Sequence, residues 1–226
     1  MAPRPARPWR HWLVAGLAIL TLVIGVGWML LGSSLFEARS VQVAGTRELP
    51  VDVVRAVAAV PLGTPMLRLD TKAIETRVVA VPRVASVQVR CNVDGTVRIE
   101  VTERSPVAVV RHANGAHLVD ATGTDYAVVS AAPPGLPELR VSRVGPRDTT
   151  AVAALTVLTG LPEWLRIQVR SIAAKSPSDV VLSLDRREVR WGGVEEGDRK
   201  AAVLGALLTQ PGKIYDVSSP ALPTIA

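Results

Sequence analysis

Three histidines bound the metal chemistry open to this chain of 226 residues. His112 and His117 flank Asn114-Gly115, residue types that favour a two-residue hairpin turn. A turn there sets the two imidazoles directly opposite each other, with Cβ atoms about 5 Å apart. That pair could begin a zinc site, with Asp120 as the next oxygen ligand in sequence. Zinc takes four protein ligands, or three and a water, and no Cys or further His stands at a usual spacing to complete either set. The expectation is an exposed cross-strand pair and no metal. Cys91 is the one cysteine, so no intrachain disulfide can form. It alternates with Val87 and Val89, which places it in an expected buried core rather than at a reactive site.

Nucleophilic and acid–base chemistry find no better footing. The S-x-x-K, S-D-N and K-T-G set of penicillin-binding enzymes is absent, since Ser171 and Lys175 are separated by three residues rather than two. No G-x-S-x-G occurs. Glu195-Glu196, and Glu100 with Glu103, are paired carboxylates, but arginines stand close by and the pattern is that of solvated surface. Gly192-Gly193 follows a strand pattern yet fits neither a dinucleotide nor a P-loop motif. The expected catalytic, cofactor and small-molecule substrate sets are therefore empty.

The elements that must position whatever function remains begin at a membrane. From residue 11 to residue 36 there is no Asp, Glu, Lys or Arg, and residues 12–31 (WLVAGLAILTLVIGVGWMLL) are apolar almost throughout. At about 1.5 Å per residue, such a helix spans roughly 30 Å, the hydrocarbon thickness of a bilayer. Arg4, Arg7 and Arg10 precede it without an acid, so the short tail, 1–11, is expected in the cytoplasm and the rest outside. Trp9, Trp12 and Trp28 are the expected interfacial anchors. Gly32, Ser33 and Ser34 would also suit a signal peptidase, but the apolar run exceeds the 7–15 residues typical of a signal peptide. A retained anchor is the reading adopted.

The net charge of +6 does not indicate nucleic acid. Three of the 26 basic residues lie in the tail, leaving 23 against all 20 acidic ones in the exported part. Those 23 are scattered and not interleaved with aromatics. The exported portion, rich in Val, Ala, Leu and Ile, is long enough for one or two cores.

After Ser40 the pattern is β-α-α-β-β. Val41 and Val43 alternate up to Gly45, and Pro50 opens a short helix through Val54, Val57 and Ala58. Asp70 caps a second helix, carrying Ile74 and Val78 on one face and stopped by Pro82. A hairpin follows, in which Val87, Val89 and Cys91 face Val97, Ile99 and Val101 across a turn at Asp94-Gly95. Pro106 marks the boundary. Beyond it lie a hairpin over 107–120, a linker over 131–137 and a strand at Leu139 and Val141. A helix over 149–159, strands over 167–173 and 180–184 and a short hairpin strand over 189–191 come next. A helix over 197–209 and a final strand from Ile214 close the pattern.

Several of these strings resemble the FtsQ/DivIB family of bacterial division proteins, its actinobacterial branch most. SVQVAGTRELP, with Gly45, is similar to the strand and turn that open that family's POTRA domain. GTPMLRLDTKAIETRVVAVPRVASVQV, with Asp70 and Pro82, resembles its next segment, and GTVRIEVTERSPVA matches its T-hydrophobic-x-I-x-V-x-E-R-x-P-V-A at Ile99, Val101, Glu103, Arg104, Pro106 and Val107. HLVDATG, VRWGG, RKAAVLGALL and YDVSSPALPT resemble the downstream half. The chain departs from the family at the hairpin turn, where it has Arg90-Cys91-Asn92-Val93-Asp94-Gly95-Thr96 in place of R-x-W/Y-P-x-T.

The resemblance implies an α+β protein: cytoplasmic tail 1–11, transmembrane helix 12–31, POTRA domain 40–106, a mixed β-domain with a mainly antiparallel sheet over 107–219, and a tail over 220–226. It implies a non-catalytic, single-pass scaffold of the cytoplasmic membrane at the septum. FtsB and FtsL would bind its β-domain, and the septal synthase FtsW/FtsI would depend on it indirectly. The final strand, Ile214, Tyr215, Asp216, Val217, Ser218 and Ser219, is the expected site, because a terminal strand can offer a free edge to a partner strand. The rival classes are an outer-membrane assembly or secretion component, which would need repeated domains and a β-barrel, and a membrane-tethered wall enzyme, which would need a nucleophile.

Overall fold

The computed structural model describes residues 9–32 and 37–226, with the side chains of 9–11, 13 and 26–32 left outside the description. A first helix, α1 (Trp9–Gly32), runs 24 residues. Its described apolar side chains, from Trp12 to Ile24, are exposed. Among the described residues no helix is long and apolar enough to cross a membrane. The anchor positions Trp9 and Trp28 lie outside the described side chains, as does the whole tail 1–11.

The chain divides into two compact units, with the boundary between Glu103 and Arg104. In the first, β1 (Ser40–Ala44) pairs parallel with β3 (Thr96–Glu103), which pairs antiparallel with β2 (Val84–Cys91). The helices α2 (Val51–Ala58) and α3 (Thr71–Val79) lie between β1 and β2 in the chain. Their Val54, Ala58, Ile74 and Val78 join Val84, Val89, Val97, Ile99 and Val101 in one core. The alternation read from the sequence is therefore the alternation of burial: Ile99 is fully buried and Arg98 is exposed.

Local chemistry explains the ends. The Asp70 carboxylate accepts the Ala73 N–H at 2.9 Å and starts α3. α2 stops with Ala59 in the left-handed region (φ 43°), and the Arg77 guanidinium donates to the Ala58 carbonyl at 2.6 Å. That places a cation on the negative end of α2. Gly45 turns the chain at φ 87°, where a Cβ would lie 2.1 Å from the Val101 carbonyl oxygen. Cys91 departs from the expected burial: it ends β2, an edge strand, and is exposed. Alternation assigns a side chain to a face but does not say how far the helices extend over it. Partial desolvation pushes the Cys91 thiol up, which disfavours the thiolate.

The second unit is built on a nine-stranded sheet. Its strands are β4 (Pro106–His112), β5 (Gly115–Asp120), β6 (Asp125–Val129), β7 (Glu138–Arg140), β8 (Ser171–Ser176), β9 (Asp179–Ser183), β10 (Glu188–Gly192), β11 (Ile214–Asp216) and β12 (Thr224–Ile225). The order is β12-β11-β10-β9-β8-β7-β4-β5-β6. Neighbours pair antiparallel except β4 with β7, β7 with β8 and β10 with β11. The helices α4 (Thr149–Gly160), α5 (Glu163–Arg166) and α6 (Gly197–Leu207) complete it.

Leu155, Leu158, Leu165 and Leu204 pack with Ile172, Leu182, Val189, Trp191 and Tyr215 in the main core. On the opposite face of β4 and β5, Val109, Leu118 and Tyr126 form a smaller core. β4 is thus buried on both sides, which accounts for its unbroken apolar run.

Several boundaries differ from expectation. The strand expected over 167–173 begins at Ser171, because residues 163–166 wind into α5 behind Pro162. β7 stops at Arg140, short of Val141. β6 and β12 carried no pattern in the sequence long enough to recognise. The final strand is three residues long and is not the sheet's edge, as described next.

Candidate partner-binding edge

β11 lies between two strands. On one side it runs parallel to β10, where Val217 N–H donates to the Arg190 carbonyl at 3.0 Å and Glu188 N–H to the Lys213 carbonyl at 2.8 Å. On the other side β12 covers it: Ile214 and Ala226 exchange both main-chain hydrogen bonds at 2.9 Å, and Asp216 faces Thr224. The free edge expected for the terminal strand is therefore occupied by part of the segment expected to be a tail. A strand of two residues has no readable period, so only its long-range pairing reveals it.

The alternation of main-chain direction divides the six expected site residues. Lys213, Tyr215 and Val217 belong to the ladder with β10, whereas the N–H and C=O groups of Ile214 and Asp216 point outward, toward β12. Side chains divide too. Tyr215 and Val217 are fully buried, and the Tyr215 hydroxyl donates to the carbonyls of Gln210 (2.9 Å) and Gly212 (3.1 Å). Neither side chain is exposed to a partner in this arrangement. Ser218 and Ser219 are exposed, and the Asp216 carboxylate holds the bend by accepting Ser218 N–H at 3.0 Å and Ser218 O–H at 2.6 Å.

The first glycine of VRWGG has a steric reason. Gly192 has φ 77°, and a Cβ there would lie 2.9 Å from the Ser218 Cβ. Below the strands, Lys200 is buried with its ammonium on the Gly193 carbonyl (2.9 Å) and 5.9 Å from the Trp191 ring centroid. Burial pushes its pKa down, while Glu195 and Glu196 oppose that shift. No sequence signal marked this lysine.

The motif residues further up the chain are fixed within their own units. The Glu103 carboxylate accepts the consecutive N–H groups of Arg47 (2.6 Å), Glu48 (3.2 Å) and Leu49 (2.9 Å). Although desolvation works to raise its pKa, these three bonds and the nearby Arg83 hold it below the usual value. Arg104 donates to Asp120 at 2.6 Å, and the other Asp120 oxygen accepts from Thr122 and Thr124. The E-R-x-P and L-V-D-x-x-G strings thus meet through Arg104 and Asp120. Pro82 sits in the turn after α3, and Pro106 opens β4.

The histidines stand differently from expectation. The hairpin turns at Ala113-Asn114, so Val110, not His112, is opposite His117, and His112 pairs with Gly115. Taking Gly115 into β5 moved the turn by one residue. The rings still touch diagonally, with centroids 4.5 Å apart. His117 is engaged at Nδ1 by the Asp125 carboxylate (2.6 Å) and at Nε2 by the Asn114 side-chain oxygen Oδ1 (2.9 Å). Among the described residues no group of three His, Cys, Asp or Glu could hold a metal.

Two family profiles match most of the chain after α1. The POTRA domain, FtsQ-type, matches residues 36–104. The profile described as Cell division protein FtsQ/DivIB, C-terminal, matches residues 108–219. The chain is 44% identical to the cell division protein FtsQ of Mycobacteroides abscessus over 220 residues, 94% of this chain and 71% of that protein. It is 41% identical to that of Mycobacterium tuberculosis, with 98% and 73% of the two chains covered. To that of Streptomyces collinus it is 37% identical, with 98% and 91% covered.

Proposed function

The chain belongs to the FtsQ/DivIB family of cell-division proteins, and on that premise we propose that it is a non-catalytic scaffold of the division machinery. α1 anchors it once in the cytoplasmic membrane, with residues 1–11 inside and Trp9, Trp12 and Trp28 at the headgroup boundaries. Between Trp12 and Leu31 no charge interrupts the apolar run, which supports that reading. The second unit holds FtsB and FtsL, and through them the protein influences the septal synthase FtsW/FtsI. The nine-stranded sheet, ending in the β10-β11-β12 ladder, carries the proposal, because such an edge recognises an extended partner through main-chain bonds. β12 holds β11 by a two-residue ladder, short enough to yield to a longer strand. FtsB would then pair with the outward groups of Ile214 and Asp216, with Ser218 and Ser219 at the open end, while Tyr215 and Val217 keep the strand in its own core.

The register decides the test. Val217→Pro would break the bond to Arg190 and damage the host sheet, whereas Asp216→Pro removes an N–H that points outward. Asp216→Pro is expected to abolish FtsB binding in titration calorimetry, whereas Asp216→Ala, which also loses the carboxylate that holds the Ser218 bend but keeps the N–H, retains it; far-UV CD and melting identify the variants that remain folded. Undiminished FtsB binding by the folded Asp216→Pro variant would refute strand addition at β11.

A further inference from the structure

Three of the most exposed apolar side chains of the first unit lie on loops that meet at one place. Leu62 and Leu67 belong to the loop 61–68, and Val93 to the β2–β3 turn; they are 59%, 71% and 86% exposed. Both loops are fastened by their main chains to residues 37–40. Gly63 N–H donates to the Ala38 carbonyl (2.8 Å), Ala38 N–H to the Thr64 carbonyl (3.0 Å), and Glu37 bridges Pro65. On the other loop, the Gly95 carbonyl accepts Arg39 N–H (2.7 Å) and Ser40 N–H (3.3 Å). Each exposed side chain is therefore at most two residues from a residue bonded to this short segment.

The sequence bounds the reach of this segment from α1. Glu37 follows Gly32 by five residues, which reach about 18 Å at full stretch. Resting on the reading of α1 as a membrane span, we propose that the two loops form a lipid-contacting tip that seats Leu62, Leu67 and Val93 at the headgroup boundary of the extracytoplasmic leaflet.

Charge is not the attraction. The loop 61–68, the turn 92–95 and residues 37–40 carry Arg68 and Arg39 against Asp94 and Glu37, so their signs balance. Asp70 is engaged as the α3 cap, and Asp94 accepts Thr96 N–H at 2.9 Å. The contact is thus apolar and needs no anionic lipid. The anchor supplies the local concentration that lets a few side chains act, since a tethered second contact is intramolecular. It would set the exported part close to the bilayer at one defined face.

The test uses nitroxide labels on the full chain in vesicles of phosphatidylcholine alone, with Cys91→Ser removing the exposed native thiol. Leu67→Cys and Val93→Cys carry the label at the tip, Ile19→Cys in α1, and Val128→Cys at an exposed site of the second unit. Collision of the label with oxygen relative to a water-soluble nickel complex reports depth. The ratio is expected to be severalfold higher at 67 and 93 than at 128, highest at 19, and unchanged by high salt. Ratios at 67 and 93 equal to that at 128, with 19 deep, would overturn the lipid-contacting tip alone and leave the loops to a protein partner. A water-like ratio at 19 would overturn the membrane span and this inference together.

Discussion

Glu103 and Arg104 are neighbours in the chain but are held by different units, Glu103 by the N–H groups of Arg47, Glu48 and Leu49, Arg104 by Asp120. Only Ser105 then separates Arg104 from β4. A carboxylate facing consecutive N–H groups is stabilised in its charged form, so the folded pKa of Glu103 lies below its ordinary value of 4.5. The sign follows: its contribution to stability is present above pH 4.5 and is lost as the pH falls through the lower folded value. Glu103→Ala is expected to lower the stability of the first unit by about 1 kcal/mol at neutral pH, the scale of a partly exposed hydrogen-bonded group. The loss should shrink as the pH falls through that lowered value, which denaturant melts at several acidic pH values would measure; a pH-independent loss would mean that the charge is irrelevant. The E-R string was legible as a motif, but its reason was not. Strand alternation says nothing of a side chain that turns back to a loop more than fifty residues earlier.

At the scale of elements, β3 is the central strand of its sheet, and its register can be tested directly. Ile99→Ala removes a fully buried side chain and is expected to cost about 2–5 kcal/mol, whereas exposed Arg98→Ala should be nearly neutral. Thermal melting that reversed this order would place the strand one residue out of register. α2 offers the opposite kind of change. Ala59 closes it at φ 43°, ψ 51°, a conformation that strains any residue with a Cβ. Ala59→Gly is expected to stabilise the unit by up to about 1 kcal/mol, visible as a raised melting temperature. The elements that sequence made plain, α2, α3, β2, β3, α4 and α6, carry their own period or caps. Those it hid are set by distant partners. β12 exists through Ile214 and Ala226, and α5 with the turn after it delays to Ser171 a strand that the pattern alone starts at Ile167. Cys91 shows the same limit, since an alternating face is buried only where something covers it.

For the whole molecule, the question is whether the segment after Pro220 competes with the partner or forms part of its site. It closes the sheet through the paired Ile214 and Ala226, a bond from Lys213 N–H to Ala226, and the Ile225 side chain against the core. If FtsB takes the outer edge of β11, these contacts must break first, and the measured affinity is reduced by the rarity of the open state. Each of the three hydrogen bonds contributes about 0.5–1.5 kcal/mol net, so their loss before binding should weaken the complex roughly tenfold to a thousandfold. A chain shortened to end at Pro220 is therefore expected to bind FtsB more tightly by that factor in titration calorimetry. Its melting must also be followed, because Tyr215 and its neighbours lose the cover of Ile225. Weaker binding by a shortened chain that still folds would reverse the assignment: the partner would then extend the sheet from the outer side of β12, making Thr224 and Ile225 the contact and the ninth strand a permanent part of the scaffold.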